Sequence, residues 1–516
     1  MTPRATTFTV TPGATAVDMV AAASRKFVLR SEGPKPLTRR YYDSFDGRLH
    51  ARGITLYSER VGRSTHLYCA LQNGELDRIP LGAEPVGSND LPDTPAFLKA
   101  VSRLGCRVLM PVVDVTARRR TLHALNQEDA PVCRVDVWDH LAVLADAHTA
   151  TVDVVVCIRP EKGHTSAAQA LLQQVASVLE PARTSILEVA LDALGLDSAG
   201  YRVPSAPVLD DSWTTGQACR SLLRWLHAWL CAHESGLRNG TDIEFLHQYR
   251  VGVRRTRSIL SQLKGALPTD ARDRLAAGFR WLGAVTGPTR DLDVYLHKFD
   301  AYRTLLPDRF HDDLEPLRLY LARQQMKEHK LVVDALDSVR YAQLMDHWQA
   351  LYGDESEWPG GTRPIKPAVS ARILRTYRQV TKRSRAIVKD PQLPAAIIHD
   401  VRIRCKKLRY MIELFHTLYP SKALRKPIKV LKQLQDILGE FNDFEVHQTS
   451  LRNHAAHMME DGFANVDTLL TIGRLSAAME EHQFRARSAV SKRLVRFSQP
   501  KSRRRFNALF QRGHAG

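Results

Sequence analysis

Apolar and polar positions change their period once along the chain. Up to about residue 195 the apolar residues alternate, or gather in short β-branched runs, at 7–11, 53–57, 66–71, 112–116 and 150–158, which predicts strands. Gln72-Asn73-Gly74 and Pro85-Val86-Gly87-Ser88 supply turns between them. One 3.6-period segment, 166–179, predicts a helix laid on the sheet. A Pro/Gly/Ser stretch at 197–211 reads as a linker, and from about 212 onward long helical periods replace the strands. A second break, Trp358-Pro-Gly-Gly-Thr-Arg-Pro364, divides the helical region. The expected architecture is an α+β domain over 1–195, a linker over 196–211 and an all-α domain over 212–500. Its halves are 212–357 and 365–500, and a basic tail over 501–516 is expected to be poorly ordered.

The helical region is self-similar at one offset. His247-Gln-Tyr-Arg-Val-Gly-Val-Arg-Arg-Thr-Arg257 returns 152 residues later as His399-Asp-Val-Arg-Ile-Arg-Cys-Lys-Lys-Leu-Arg409. Both fit H-x-x-R-x-x-x-[RK]-[RK]-x-R. In the same register Leu282, Gly287 and Arg290-Asp-Leu-Asp-Val294 become Leu434, Gly439 and Asn442-Asp-Phe-Glu-Val446. Arg280 maps to Lys432, and Arg220 to Arg372. Three separated matches in one register identify a tandem duplication. Each half is expected to be a bundle of antiparallel helices with a pseudo-twofold partner.

On a helix, positions i, i+3, i+7 and i+10 share a face. Those positions are His247, Arg250, Arg254 and Arg257 in one half, and His399, Arg402, Lys406 and Arg409 in the other. Arg255 and Lys407 lie about 100° away. No Asp or Glu occurs from His247 to Lys264 or from Val401 to Ile412, so the repulsion within each stripe needs partners from elsewhere. They are either Asp291, Asp293, Asp443 and Glu445 on the following helix, or an external anion. The whole chain carries +19, and its distribution favours the anion. Residues 1–204 hold 23 Lys and Arg against 22 Asp and Glu, whereas 205–516 hold 51 against 33.

Arginine donates in pairs to phosphate oxygens and stays charged, and a histidine beside phosphates is stabilised as imidazolium. No second His or carboxylate follows either histidine three to five residues further along its face, which argues against a metal site. Nucleic acid would use the same cations, but single strands also need stacking rings, and only Tyr249 and Tyr410 lie near the stripes. A ligand with phosphates and no bases fits better. Seven scattered cysteines without CxxC spacing argue against zinc and a disulfide framework and for a reducing cytosol. No signal-like segment and no window of roughly 18 apolar residues is present, so a cytoplasmic protein without membrane attachment or cofactor is expected.

The paired motifs resemble the CHAD family, the conserved-histidine α-helical domain, over roughly 210–500. The resemblance implies two four-helix bundles about a pseudo-twofold axis, with a basic central surface that binds inorganic polyphosphate and an association with polyphosphate granules. Carried onto this sequence, the polyphosphate contacts are His247, Arg250, Arg254, Arg255, Arg257, His399, Arg402, Lys406, Lys407 and Arg409. The flanking cations Arg220, Arg280, Arg290, Arg372, Arg375 and Lys432 complete the set. Asn442 replaces the arginine seen at Arg290, which implies one lost contact in the second half.

The N-terminal region resembles the CYTH family, the triphosphate-tunnel fold, through Tyr41-Tyr42-Asp43-Ser44 with Leu49, Gly53 and Leu56, and through Thr184-Ser185. That family opens on an E-x-E-x-K strand whose glutamates hold a divalent metal. Here the strand reads Thr7-Phe8-Thr9-Val10-Thr11. Tyr57 and Glu59 stand in place of tunnel arginines, Asp153 is the one carboxylate of a late strand, and Arg118 and Arg120 are left as candidate tunnel residues. No set of oxygens for Mg²⁺ or Mn²⁺ can be assembled. The expectation is a degenerate CYTH-like β-barrel or tunnel domain, without catalytic or metal-binding residues, joined to a polyphosphate-binding CHAD domain. The alternatives are an inorganic triphosphatase of the CYTH–CHAD type and a nucleic-acid-binding adaptor.

Overall fold

In a computed structural model the chain divides into two compact units, Met1–Val203 and Pro204–Gly516. The structure describes residues 6–145, 148–181, 185–196, 203–390 and 393–511. Part of the expected linker, 197–202, lies outside them.

The first unit is one antiparallel sheet of ten strands: β1 (Thr6–Val10), β2 (Val28–Ser31), β3 (Lys35–Asp43), β4 (Ile54–Val61), β5 (Ser64–Leu71), β6 (Leu76–Pro80), β7 (Met110–Leu125), β8 (Pro131–Ala145), β9 (His148–Pro160) and β10 (Leu179–Pro181). Their order is β10-β1-β9-β8-β7-β3-β4-β5-β6. β7 is long enough to pair β3 along its first part and β2 along Leu122–Leu125. Helices α1 (Ala16–Ser24) and α3 (Thr165–Val175) share one apolar cluster with the sheet. α2 (Pro95–Leu104) and α4 (Ile186–Ala193) belong to two others. The five expected strands are present. The helix expected over 166–179 stops at Val175, and 179–181 instead forms the edge strand on β1.

Five of the ten strands, β2, β3, β6, β8 and β10, lie outside the expected set, and β3 and β8 show why. In β3 the charged pair Arg39-Arg40 hides the apolar alternation. Arg39 donates to Glu59 at 2.6 Å, and Arg40 donates twice to Asp114 at 2.8 Å, so cross-strand partners remove the charge that made the segment look like a loop. β8 has a positive φ at His140, which interrupts its alternation.

The second unit is all helical. Its first half holds α5 (Thr215–Arg238), α6 (Ile243–Gln262), α7 (Thr269–His297), a short α8 (Phe299–Arg303), α9 (Glu315–Leu336) and α10 (Val339–Gly353). Its second half holds α11 (Ile365–Lys389), α12 (Ala395–Leu414), α13 (Ser421–Glu460), α14 (Val466–Ser498) and α15 (Pro500–Gln511). Local chemistry sets the starts. Thr214 and Gln217 form a capping box on α5, and the Asp242 carboxylate accepts from the second and third amides of α6. Pro268 caps α7 and Pro420 caps α13, 152 residues apart, as the duplication requires.

The duplication extends one helix further than the matching residues show. α10 packs on α5 and α7; α15 packs on α11 and α13, the corresponding pair. Residues 501–511 of the segment expected to be a poorly ordered tail therefore belong to the closing helix of the second half, and 512–516 lie outside the described residues. Its Phe506 ring stacks on Tyr377 at 4.0 Å, and Phe510 meets Tyr419 edge-on at 4.9 Å. The expected four helices per half are joined by this additional one.

The halves meet at the Trp358–Pro364 break. Thr214 bridges to Pro364, and the Gly216 amide donates to the Gly361 carbonyl at 2.9 Å. A Cβ placed on Gly360 would stand 1.7 Å from the Gly265 carbonyl oxygen, so only glycine fits there.

Candidate polyanion-binding site

The two stripes lie on equivalent helices, α6 and α12, which pack against each other across the halves. Val253 and Leu260 on α6, with Cys405 and Ile412 on α12, are buried and hold those helices in their bundles. The cations come from the neighbouring face. Arg250, Arg254, Arg402 and Lys406 are half-buried and form no ion pair among the described residues. The Nε atoms of Arg250, Arg254 and Arg402 are buried with no hydrogen-bond partner among the described residues.

Their charges press on one another. Burial pushes the Lys406 ammonium down to about 7, and Arg402 and Arg254 push it the same way. Burial and Arg254 bring Arg250 down to about 10. Burial lowers Arg402 as well, against the pull of Asp443. Arg254 from the first half and Arg402 and Lys406 from the second thus form one electrostatic cluster. Unpaired cations held partly out of water are the arrangement an external anion relieves.

The candidate structural acids do not cancel this cluster. Buried Asp293 accepts from Gln325 at 2.9 Å, and Asp443 pairs with Lys298 at 2.7 Å. Asp291 and Glu445 form no ion pair among the described residues. Asp291 and Asp443 lie near enough to act on Arg250, Arg402 and Lys406, but among the described residues intramolecular acids form ion pairs with the stripes only at their end. There Glu413 meets Arg409 at 3.1 Å and Arg255 at 3.9 Å.

The remaining expected contacts divide. Arg257 is exposed, its guanidinium beside Gly283, and burial followed by Arg280 lowers it, so Arg257 and Arg280 are neighbours. Arg280, Arg375, Lys407 and Lys432 are exposed. Arg255 turns off the stripe and lies over the rings of Trp225 and Trp229, at 5.5 and 5.6 Å. Arg220 covers Trp358 at 4.4 Å and donates to the Ser356 carbonyl, and Arg372 donates to Gln262 at 2.7 Å. These three act in packing at the seam between the halves.

Arg250 also serves the fold, donating to the Gly283 carbonyl at 2.9 Å and to Thr286 Oγ1 at 2.7 Å on α7. Arg290 reaches back to the Ile243 carbonyl at 3.2 Å. In the second half Asn442 takes a different role and its Oδ1 lies 2.7 Å from His399 Nδ1. The equivalence expected of the two stripes therefore holds for helix and spacing but not for individual bonds.

In the first unit a cavity of about 320 Å³ opens on the sheet face near α4, lined by Thr7, Arg39, Tyr57, Trp138, Arg159 and Glu188 among others. Glu59, buried, receives Arg39 at 2.6 Å and Arg119 at 3.0 Å, and these guanidinium groups hold it below the ordinary carboxylate range despite burial. Arg39 sits between the Tyr57 and Trp138 rings, at 4.4 and 4.3 Å. The cation turned to this face is Arg119, not the expected Arg118 and Arg120, because side chains alternate along β7. Arg118 instead lines a groove with Arg60 and His140 on the other side. The Asp153 side chain and Thr184 lie outside the described residues. Among the described residues no three His, Cys, Asp or Glu side chains gather to hold a metal. All seven cysteines are free, and no helix is long and apolar enough to cross a membrane.

Residues 221–452 match the family model of the CHAD domain. Among solved structures the chain is similar to the CHAD domain from the plant Ricinus communis. That match has 26% identity and a TM-score of 0.47, covering 56% of this chain and 95% of the plant domain. The protein PptA from Streptomyces chartreusis matches at 16% identity and a TM-score of 0.42, covering 54% and 99%. An adenylyl cyclase candidate from Hippeastrum with a dominant triphosphatase activity matches at 13% identity and a TM-score of 0.26, covering 38% and 98%. Comparison with curated proteins gives no match.

Proposed function

Because residues 221–452 match the family model of the CHAD domain, we propose that the α6–α12 groove binds inorganic polyphosphate and that the chain is a polyphosphate-binding protein of CYTH–CHAD organisation. The observation that carries this is the cluster of Arg250, Arg254, Arg402 and Lys406, half-buried and without ion pairs among the described residues. A chain of phosphates supplies the missing negative charge, and each arginine fork can donate to two of its oxygens. Single-stranded nucleic acid is the weaker candidate: Tyr249 and Tyr410 are both buried, and the half-exposed Trp225 and Trp229 are already covered by Arg255. Association with polyphosphate granules in the cytoplasm follows from that ligand.

The first unit is proposed to be non-catalytic. Thr7 and Thr9 stand where metal-binding glutamates would be needed, and Glu59 is neutralised by Arg39 and Arg119. Arg39 at the cavity wall is already held by Glu59 and by the Tyr57 and Trp138 rings. An isothermal titration of the full chain with long-chain polyphosphate in EDTA tests the binding. Undiminished affinity is expected, and loss of binding on chelation overturns a metal-free groove. With tripolyphosphate and Mg²⁺ or Mn²⁺, phosphate release should stay at the buffer level. Sustained metal-dependent turnover by a pure sample would restore the triphosphatase reading.

A further inference from the structure

The two halves are alike in fold and unlike in charge. α5 carries three Lys or Arg residues and Glu234, whereas its counterpart α11 carries eight and no acid. The closing helices differ in the same sense. α10 has Arg340 and Asp346, and α15 has four Lys or Arg residues and no acid. Between His482 and Gln511 there is no Asp or Glu at all. Apart from Arg372 and Arg375, named above among the flanking cations, this surplus belongs to neither motif.

Its placement is regular. Arg375, Arg378, Lys382, Arg385 and Lys389 follow one another at steps of three and four residues, so they share one face of α11 over about 21 Å. All five are exposed, and none forms an ion pair among the described residues. The helix's one paired cation of this stretch, Arg383, lies on another face and meets Asp400 at 2.8 Å. α15 adds to the same side. The Phe506–Tyr377 stack clamps it onto α11, and Arg385 and Arg503 both act on the Tyr377 hydroxyl. Lys501, Arg504 and Arg505 are exposed beyond them. Ordinary solvated helix faces interleave acids at i±4, and here there are none to interleave.

We propose that the α11–α15 face is a second polyphosphate-binding surface, separate from the α6–α12 groove, that holds a further stretch of a long chain; this rests on polyphosphate being the ligand of the groove. The rings on these two helices, Tyr377, Phe506 and Phe510, are all buried in the docking of α15, so the face offers cations without a stacking platform. It therefore suits a phosphate polymer better than a single-stranded nucleic acid. One molecule then holds two stretches of polymer, or two chains.

The test uses the full chain with Arg378→Gln, Lys382→Gln, Arg385→Gln and Lys389→Gln combined, a set that touches none of the groove cations. Affinity for long-chain polyphosphate is measured against salt, with circular dichroism as a folding control. The slope of log K against log salt should become shallower by about three units, at roughly 0.7 per lost single-strand contact. A companion variant with Arg378→Lys and Arg385→Lys should keep the wild-type slope. An unchanged slope in the glutamine variant overturns the second surface while leaving the groove reading intact. If the wild-type protein itself shows no binding, the groove reading has failed and the second surface with it. If the glutamine variant loses duplex RNA but not polyphosphate, the face serves nucleic acid and the proposal is overturned.

Discussion

Replacing Arg254 and Lys406 with Ala is expected to remove most of the protein's affinity for long-chain polyphosphate. Neither side chain forms an ion pair among the described residues, and each loses a charge-assisted contact worth about 1.5–3 kcal/mol. Together they should cost roughly two to four decades in Kd. Wild-type binding should itself fall by on the order of three to five decades between 50 and 200 mM salt if six to ten phosphates are neutralised. The double variant should flatten that dependence by between about 1.4 and 1.8 log–log units. Thermal unfolding should hardly move, because removing mutually repelling cations leaves no fold contact unmade. The pair Arg250→Ala and Arg254→Ala behaves differently. It should lose affinity and also lower Tm, since Arg250 ties α6 to the Gly283 carbonyl and Thr286. The second-half pair Arg402→Ala and Lys406→Ala should lose affinity alone. If both pairs unfold and wild-type binding ignores salt, the cations are structural and the groove is not a binding site.

Lys406 is expected to make polyphosphate binding depend on pH in a window set by its own ionisation. Its ammonium sits at about 7 in the free protein, against an ordinary 10.5. Phosphates in the groove favour the charged form and raise it again. Below pH 7 the lysine is already charged and binding is insensitive to its titration. Between about 7 and 10.5 the complex takes up a proton, so affinity should fall by up to about tenfold per pH unit as pH rises. Calorimetry at pH 8 in two buffers of different ionisation enthalpy should show this uptake. In Lys406→Arg it should disappear while binding persists. Stability carries the opposite sign. The unfolded chain holds the Lys406 proton more tightly than the folded one, so this residue's contribution favours folding increasingly from pH 7 towards 10.5. Equal uptake in wild type and Lys406→Arg would remove Lys406 from the groove's chemistry.

Much of this site was legible before any coordinates. The H-x-x-R spacing placed the cations on one helix face, and the absence of acids over 247–264 anticipated their lack of partners. The division of labour among them was not legible. Arg250, Arg254 and Arg255 are neighbours in one motif, yet one bonds α7, one stays unpaired and one covers two tryptophans. Such differences depend on which neighbouring helix each side chain meets, and periodicity does not report that. The last helix was missed for a related reason. α10 and α15 occupy matching places, but the longer α13 and α14 shift α15 out of the 152-residue register. Its basic residues then read as a solvated tail, although Phe506 and Phe510 recur at the helical i, i+4 spacing. In the sheet, β3 was hidden by arginines whose acids lie on other strands.

The glycines at the seam bear on how a polymer bound as proposed would get in and out. Gly216 stands against Gly361 and Gly360 against Gly265, so the halves meet there backbone to backbone. A seam packed that closely predicts a groove between α6 and α12 that keeps its width. A long chain bound in it is then expected to leave phosphate by phosphate, at a rate that scales with the number of residues seated.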